Sequence, residues 1–393
     1  MMPAARIQAT IEILDEVLES DHPAEFVITR WFRSHRFAGS KDRAAVRDHI
    51  YDALRNLRFY AACGGGMRGR AIMIGALLSK GADLKSVFSG QGYGPSKLRT
   101  DEIGPFPDPS LQERLDIPDW LWPIWRTDLA EMAEEVAEKL TQRAPVFLRV
   151  NLIKSSVGHA IEMLGKEDIK AIAHETVPTA LLVLENAHRI INSAAYLGGL
   201  VELQDASSQM SICSLPTFIE GEILDYCAGG GGKSLALAAW LNCKVFAYDT
   251  APLRMKDLPS RAIRAGVNIE CISEDSLYKE RYDLVFCDVP CSGSGVWRRD
   301  PWGKRMLTEK TLDSVVQTQA EVLRQAIGYV KLGGILVYST CSVLKRENSF
   351  QIDDVISSYG FLECLESKQF MPSENGDGFF YCYLRKNNDN QQR

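Results

Sequence analysis

The stretch Asp225-Tyr226-Cys227-Ala228-Gly229-Gly230-Gly231-Gly232-Lys233-Ser234 decides the fold of the second half of the chain. It joins a short apolar run, Glu222–Cys227, to an alanine-rich segment, Lys233–Leu241. Four successive glycines let the backbone lie against a ligand, and the helix that follows offers unpaired amides at its start. Further apolar runs at Lys244–Tyr248, Ile269–Ile272, Tyr282–Cys287 and Gly334–Ser339 are separated by helical stretches such as Leu253–Ala265 and Leu312–Val330. Continuous apolar strands alternating with helices predict an α/β fold with a doubly wound, mainly parallel sheet. On such sheets ligands lie beyond the strand C-termini, so the residues after each strand form the candidate site. A phosphate-binding Walker A loop needs a glycine five residues before Gly232, where this chain has Cys227.

The strand ends repeat one chemistry. The first ends at Asp225, the second at Asp249, the third at Ser273-Glu274-Asp275 and the fourth at Asp288. Nucleotide-binding α/β folds place an acid after the second strand on the ribose hydroxyls. Acids at four strand ends disfavour a polyphosphate and favour a neutral or cationic nucleoside. S-adenosyl-L-methionine, with a ribose, an adenine amine and a sulfonium, fits best.

The fourth strand runs into DVPCSGSG, Asp288–Gly295, and the fifth into YSTCSVLKREN, Tyr338–Asn348. Each puts a cysteine, Cys291 or Cys341, one turn beyond a strand end on the cofactor edge. Cysteine is required when the methyl acceptor is carbon 5 of a pyrimidine, a poor nucleophile until a thiolate adds to carbon 6 and makes the ring an enamine. The carbon 5 proton must then leave and the first thiol be expelled, a step that a second cysteine assists. A free thiol ionises near pH ~8.5, so positive charge is expected close by, and Lys233, Arg298, Arg299, Lys345 and Arg346 are the candidates. Asp288 is suited to hydrogen-bond the base at ring atom 3 or at its amine.

The remaining composition narrows the function classes. With 393 residues, 46% hydrophobic and 24% charged, the chain has the make-up of two or three folded domains. No apolar stretch approaches the ~18–20 residues of a membrane helix, and the first residues lack a signal-peptide core, so a cytoplasmic protein without a membrane partner is expected. Ten cysteines without a CxxC pair fit reduced thiols and no metal site. All six histidines precede Arg189, which removes serine-hydrolase and His-ligated metal chemistry from the second half. The net charge is −6, yet residues 1–100 carry 15 Lys and Arg against 10 Asp and Glu. A basic segment on an acidic body fits contact with a polyanion. Helical spacing of Ile7, Ile11, Leu14, Val27, Ile28, Trp31, Val46, Ile50 and Leu54 predicts a bundle, with helix starts at Asp21-Pro23 and Ser40. Prolines crowd GPFPDPSLQERLDIPDWLWP, 104–123, and mark a boundary. A helix over Ile124–Leu140 and strands over Val146–Leu152 and Thr179–Leu184 follow, and Lys386–Arg393 reads as a polar tail.

DYCAGGGGKS, DVPCSGSG and GGILVYSTCSVLKREN together resemble the Sun/Fmu (RsmB/NOP-type) family of S-adenosylmethionine-dependent RNA cytosine-5 methyltransferases. Arg149-Val150-Asn151, Gln204–Gln209 and WRRDPW, Trp297–Trp302, resemble further segments of that family, and Ser40–Arg55 resembles its NusB-type RNA-binding domain. The resemblance implies a helical NusB-like RNA-binding domain at 1–115, a linker and small α/β RNA-binding segment at 116–205, and a Rossmann-like catalytic domain at 206–393, working as a monomer. It implies cofactor contacts from Cys227, Ala228, Gly229, Gly230, Gly231, Gly232, Lys233, Asp249, Arg254, Asp275 and Asp288. Cys341 is then the nucleophile and Cys291 the group that promotes product release, with Lys233 and Asp288 beside the reacting base. The implied substrate is cytosine in RNA, with 16S-type ribosomal RNA ahead of transfer RNA; a non-catalytic RNA-binding or assembly factor is the alternative. Gly229-Gly230 stands where the family commonly has Ala-Pro or Ser-Pro, and Ser234 where it has Thr.

Overall fold

The computed structural model of the chain describes residues 1–216, 219 and 221–388. It divides into two units, Met1–Arg143 with Trp297–Met306, and Ala144–Val296 with Leu307–Arg393. No helix among the described residues is long and apolar enough to cross a membrane.

In the first unit the helical spacing becomes five helices, α1 Pro3–Glu19, α2 Ala24–Ser34, α3 Ser40–Arg55, α4 Leu57–Gly64 and α5 Gly69–Ser79. Their inward stripes, among them Ile7, Leu14, Ile28, Ile50 and Ile72, merge into one core. Each fully buried aliphatic side chain there stabilises the bundle by ~1.5–3 kcal/mol. The expected helix starts are corrected in detail. Pro23 holds the cap position of α2, and Ser40 lies inside α3 after Gly39, so neither Asp21 nor Ser40 caps a helix with its side chain. The helix expected over Ile124–Leu140 is broken: Trp122–Leu129 and Ala133–Thr141 flank a tight turn at Ala130, whose φ is +52°. At the break the Trp125 indole N–H donates to the Ala133 carbonyl at 2.8 Å.

The segment Trp297–Met306 completes this unit although its sequence lies deep in the second half. Trp297 stacks on Trp125 with ring centroids 5.7 Å apart. Trp302 joins the helical core. Lys304 forms a buried ion pair with Asp116, whose other oxygen accepts the Arg58 amide at 2.6 Å.

The second unit begins with a small sheet of β1 Val146–Val150, β2 Lys170–Ala173, β3 Ala180–Glu185 and β4 Val201–Leu203, in the order β2-β3-β1-β4. Helices Val157–Gly165 and Ala194–Leu197 make this a β-α-β-β-α-β arrangement. The large sheet has seven strands, β5 Ile223–Asp225, β6 Val245–Ala247, β7 Ile269–Cys271, β8 Tyr282–Asp288, β9 Val330–Thr340, β10 Leu362–Phe370 and β11 Phe379–Lys386, in the order β10-β11-β9-β8-β5-β6-β7. The pairs β6-β7, β5-β6, β5-β8 and β8-β9 are parallel, as the strand–helix alternation predicts. Successive residues serve opposite faces. Ile223, Val245, Leu284 and Phe286 pack with Ala236 and Leu237, while Leu224, Phe246 and Val285 pack with Leu323, Ile352 and Val355.

Two features differ from the sequence-based expectations. The antiparallel pair β10 and β11 extends the sheet past β9. The supposed tail begins inside β11, where buried Lys386 donates to the Val330 carbonyl at 2.9 Å; residues 389–393 of that tail lie outside the described residues. The helix expected over Leu253–Ala265 splits into a short turn, Pro252–Met255, and a helix, Leu258–Ala265, with Pro259 in the first turn of the latter.

Candidate active site

The glycine turn leaves β5 and enters helix Gly232–Leu241 through Gly231, whose φ of +81° suits glycine and whose added Cβ would run into Leu258. Buried Asp249, just beyond β6, accepts the amides of Gly229 at 2.8 Å and Ala251 at 2.9 Å and the Arg254 guanidinium at 2.9 Å. The structure therefore brings Gly229, Asp249 and Arg254 together. Arg149, on β1, donates to the Gly232 carbonyl at 2.8 Å, and Arg261 donates to that of Gly230. The small sheet and helix Leu258–Ala265 thus hold the outer side of the turn. Cys227 is half-buried, and burial lifts its thiol well above the ordinary range. Asp275 lies exposed in the turn Glu274–Ser276 and is not drawn into the Asp249 cluster.

Asp225 ends β5 fully buried. One carboxylate oxygen accepts the Ser234 hydroxyl at 2.6 Å, and the other has no hydrogen-bond partner. Burial pushes its pKa up to about 7. An orphaned carboxylate oxygen beneath a glycine turn suits a ligand that carries positive charge or donates a proton.

The cysteine loops leave β8 and β9, which pair in parallel through Asp288 and Ser339. This register brings Cys291 Sγ to 3.2 Å from Cys341 Sγ. Contact with Cys341 and burial together hold the Cys291 thiol well above its usual range. Lys233 Nζ reaches Asp288 Oδ2 at 2.6 Å and lies over the Phe379 ring, linking the helix after the glycine turn to the start of the Cys291 loop. Ser339 donates to the other Asp288 oxygen at 3.1 Å. Of the other expected cations, Arg346 pairs with Asp313 at 3.4 Å, and Arg298 belongs to the helical unit, where Arg55 reaches its backbone carbonyl.

Residues that sequence reasoning missed hold these loops. The Gly295 amide donates to the Cys341 carbonyl at 2.9 Å, and its carbonyl accepts the Gly378 amide at 3.0 Å. The backbones approach so closely that a Cβ on Gly378 would lie 2.6 Å from Gly295 Cα. Fully buried Glu347 accepts from the Ser292 amide at 2.7 Å, from both the Ser292 and Ser342 hydroxyls, and from Gln319 at 3.1 Å. The available signal was the serine following each cysteine, because two hydroxyls beside two half-buried thiols call for a buried acceptor.

Two family models and a curated relative match this chain. The family model described as 16S rRNA methyltransferase RsmB/F matches residues 215–385, and that of the RsmF/B-like ferredoxin-like domain matches 117–190. A ribosomal RNA small subunit methyltransferase B from Proteus mirabilis is 33% identical over 277 residues. The chain belongs to the Sun/Fmu family. The Proteus match covers 68% of this chain and 65% of the relative, so this Sun/Fmu chain matches less than two thirds of that relative's length. Two solved structures share the fold. The crystal structure of PH0851 superposes with a TM-score of 0.79 at 21% identity, over 98% of this chain and 99% of that one. A methyltransferase homolog protein from Pyrococcus horikoshii gives 0.62 at 24% identity, over 70% of this chain and 97% of that one. Both likenesses support a Rossmann-like architecture for the large sheet and its helices.

Proposed function

We propose that this chain transfers a methyl group from S-adenosylmethionine to carbon 5 of cytosine in RNA through a covalent bond between Cys341 and the base. The observation that carries the reading is the pair of thiols 3.2 Å apart at the ends of adjacent parallel strands, beside the Lys233–Asp288 ion pair. Cys341 Sγ, as thiolate, adds to carbon 6 of the cytosine, and carbon 5 gains the electron density needed to accept a methyl group. S-adenosylmethionine, when bound, supplies that methyl from its sulfonium. Asp288, held by Lys233 and Ser339, anchors the amine edge of the base. Cys291 promotes the last step, in which the carbon 5 proton passes to solvent, the electron pair of that C–H bond re-forms the 5,6 double bond, and Cys341 leaves carbon 6 as thiolate.

The cofactor reading draws support from the orphaned Asp225 oxygen and from the glycine turn that lets backbone approach a nucleoside. Cys227 to Lys233, Asp249, Asp275 and Asp288 are the residues to hold it, with Arg254 covering Asp249. The substrate we favour is ribosomal RNA of the small subunit, in line with the names of the family model and of the Proteus relative. A target base must leave its stack to meet a thiol, which favours a loop or a flipped-out nucleotide. The basic first hundred residues are the proposed contact to the RNA backbone.

The test is a denaturing gel of wild type, Cys291→Ala and Cys341→Ala with RNA and S-adenosylmethionine. A nuclease-sensitive adduct accumulating in Cys291→Ala alone is the expected result, together with complete loss of methyl incorporation in Cys341→Ala. Normal turnover in Cys341→Ala overturns the assignment, and sequencing the trapped RNA separates ribosomal from transfer RNA.

A further inference from the structure

We infer that Glu347 is a positioning residue that fixes the separation of the two thiols, and that it thereby governs release of the RNA; this rests on the reaction proposed above. The side chain is fully buried and its two oxygens face four donors. Oε1 accepts the Ser292 amide at 2.7 Å and Gln319 Nε2 at 3.1 Å, and Oε2 accepts the Ser292 and Ser342 hydroxyls. Ser292 follows Cys291 and Ser342 follows Cys341, so one carboxylate is bonded to the neighbours of both thiols.

The backbone around it is fixed as well. The Glu347 carbonyl accepts the Tyr338 hydroxyl at 2.6 Å, and Asn348 donates to the Ser342 carbonyl at 2.9 Å. Gln319 also reaches the Pro290 carbonyl at 2.9 Å, adjacent to Cys291. Burying a carboxylate costs several kcal/mol unless hydrogen bonds replace its water. Here the donors come from both cysteine loops, and glutamine meets them only by turning the Ser292 and Ser342 hydroxyls from donors into acceptors, which removes the charge that strengthens both bonds. Without the carboxylate the two loops lose the tie next to both thiols, while the Ser294–Ser342 and Gly295–Cys341 bonds and the β8–β9 pairing remain. Addition to the base uses Cys341 alone, but release needs the second thiol at its present distance. Loosening therefore retains adduct and leaves the cofactor turn intact.

The experiment compares full-length wild type with Glu347→Gln under diamide. Cys291 and Cys341 together yield one disulfide, and their two hydrogens and two electrons convert the diazene to the hydrazine. Peptide mass spectrometry follows the Cys291–Cys341 product and the thermal midpoint reports folding. Expected are a folded variant, disulfide formation slower by at least about tenfold, and an RNA adduct that persists although Cys291 is present. A folded Glu347→Gln with the wild-type disulfide rate overturns the inference. Should Glu347→Gln not fold, the disulfide rate is measured on Ser292→Ala/Ser342→Ala instead, where slowing supports the inference and a wild-type rate overturns it. If no variant, Cys291→Ala included, forms an RNA adduct, the proposed reaction fails, and the disulfide rate still decides whether Glu347 sets the thiol distance.

Discussion

The glycine turn leaves a strand of three residues, β5, whereas the cysteine loops leave strands of seven and eleven, β8 and β9. The turn is supported from outside, by Arg149, Arg261 and the Arg254–Asp249 pair, and beneath it one oxygen of Asp225 stays unsatisfied. The cysteine loops are tied to each other, through Glu347, through the Ser294 and Ser342 hydroxyls 2.8 Å apart, and through Gly295 between Cys341 and Gly378. One end of the site leaves a polar group for a ligand to complete. The other is preorganised by internal hydrogen bonds, as chemistry that needs sub-ångström placement demands.

That contrast breaks if changes at either end have the same consequences. Gly295→Ala pushes a methyl into the Gly378 backbone, which has no flexible side chain to yield. Methyl transfer is expected to fall by at least about 100-fold with cofactor affinity kept, measured by labelled-methyl incorporation and calorimetric titration. A parallel loss of affinity means the two ends act as one body. Gly231→Ala tests the opposite end, since a left-handed alanine costs ~1–2 kcal/mol before the collision with Leu258. Cofactor affinity is expected to drop roughly tenfold, and the diamide-driven Cys291–Cys341 disulfide to form at the wild-type rate. A slowed disulfide contradicts the contrast.

The smallest effect concerns pH. Burial holds Asp225 at about 7, above the ~3.9 of an unfolded aspartate. The folded chain therefore binds the extra proton, and the associated stability is full below about pH 4 and is lost as pH rises towards 7. Asp225→Asn does not titrate, so its Tm relative to wild type should improve by a few degrees between pH 5 and pH 8. Parallel Tm curves over that range would place Asp225 among ordinary ionised carboxylates and remove the unsatisfied group from the comparison.

What could be read from the sequence was local. Apolar runs, the glycine turn and acids at strand ends each occupy a few neighbouring residues, and the parallel strands β5 to β9 and the pairing of the glycine turn with Asp249 followed from them, whereas Arg254 came from the family resemblance alone. The hairpin β10 and β11 was not legible, because the outer strand alternates weakly and is mostly exposed while its partner is buried almost throughout. Glu347 was hidden for a different reason. Its partners come from loops fifty residues apart in sequence and from helix Glu309–Ile327, and only the β8–β9 register brings them together. The helix break at Ala130 likewise depends on the Trp125 indole, which spacing alone does not reveal.

The placement of Trp297–Met306 bears on how the helical unit can be inherited or exchanged. Trp302 is part of that unit's core and Lys304 neutralises its buried Asp116, yet both are encoded between the two cysteine motifs. A chimera joined only near residue 143 would give the incoming bundle a foreign tryptophan and leave Asp116 or its counterpart with an unmatched charge. A viable transplant between relatives has to move two separate stretches of coding sequence together. Ancestral exchange of this unit by a single crossover is correspondingly disfavoured.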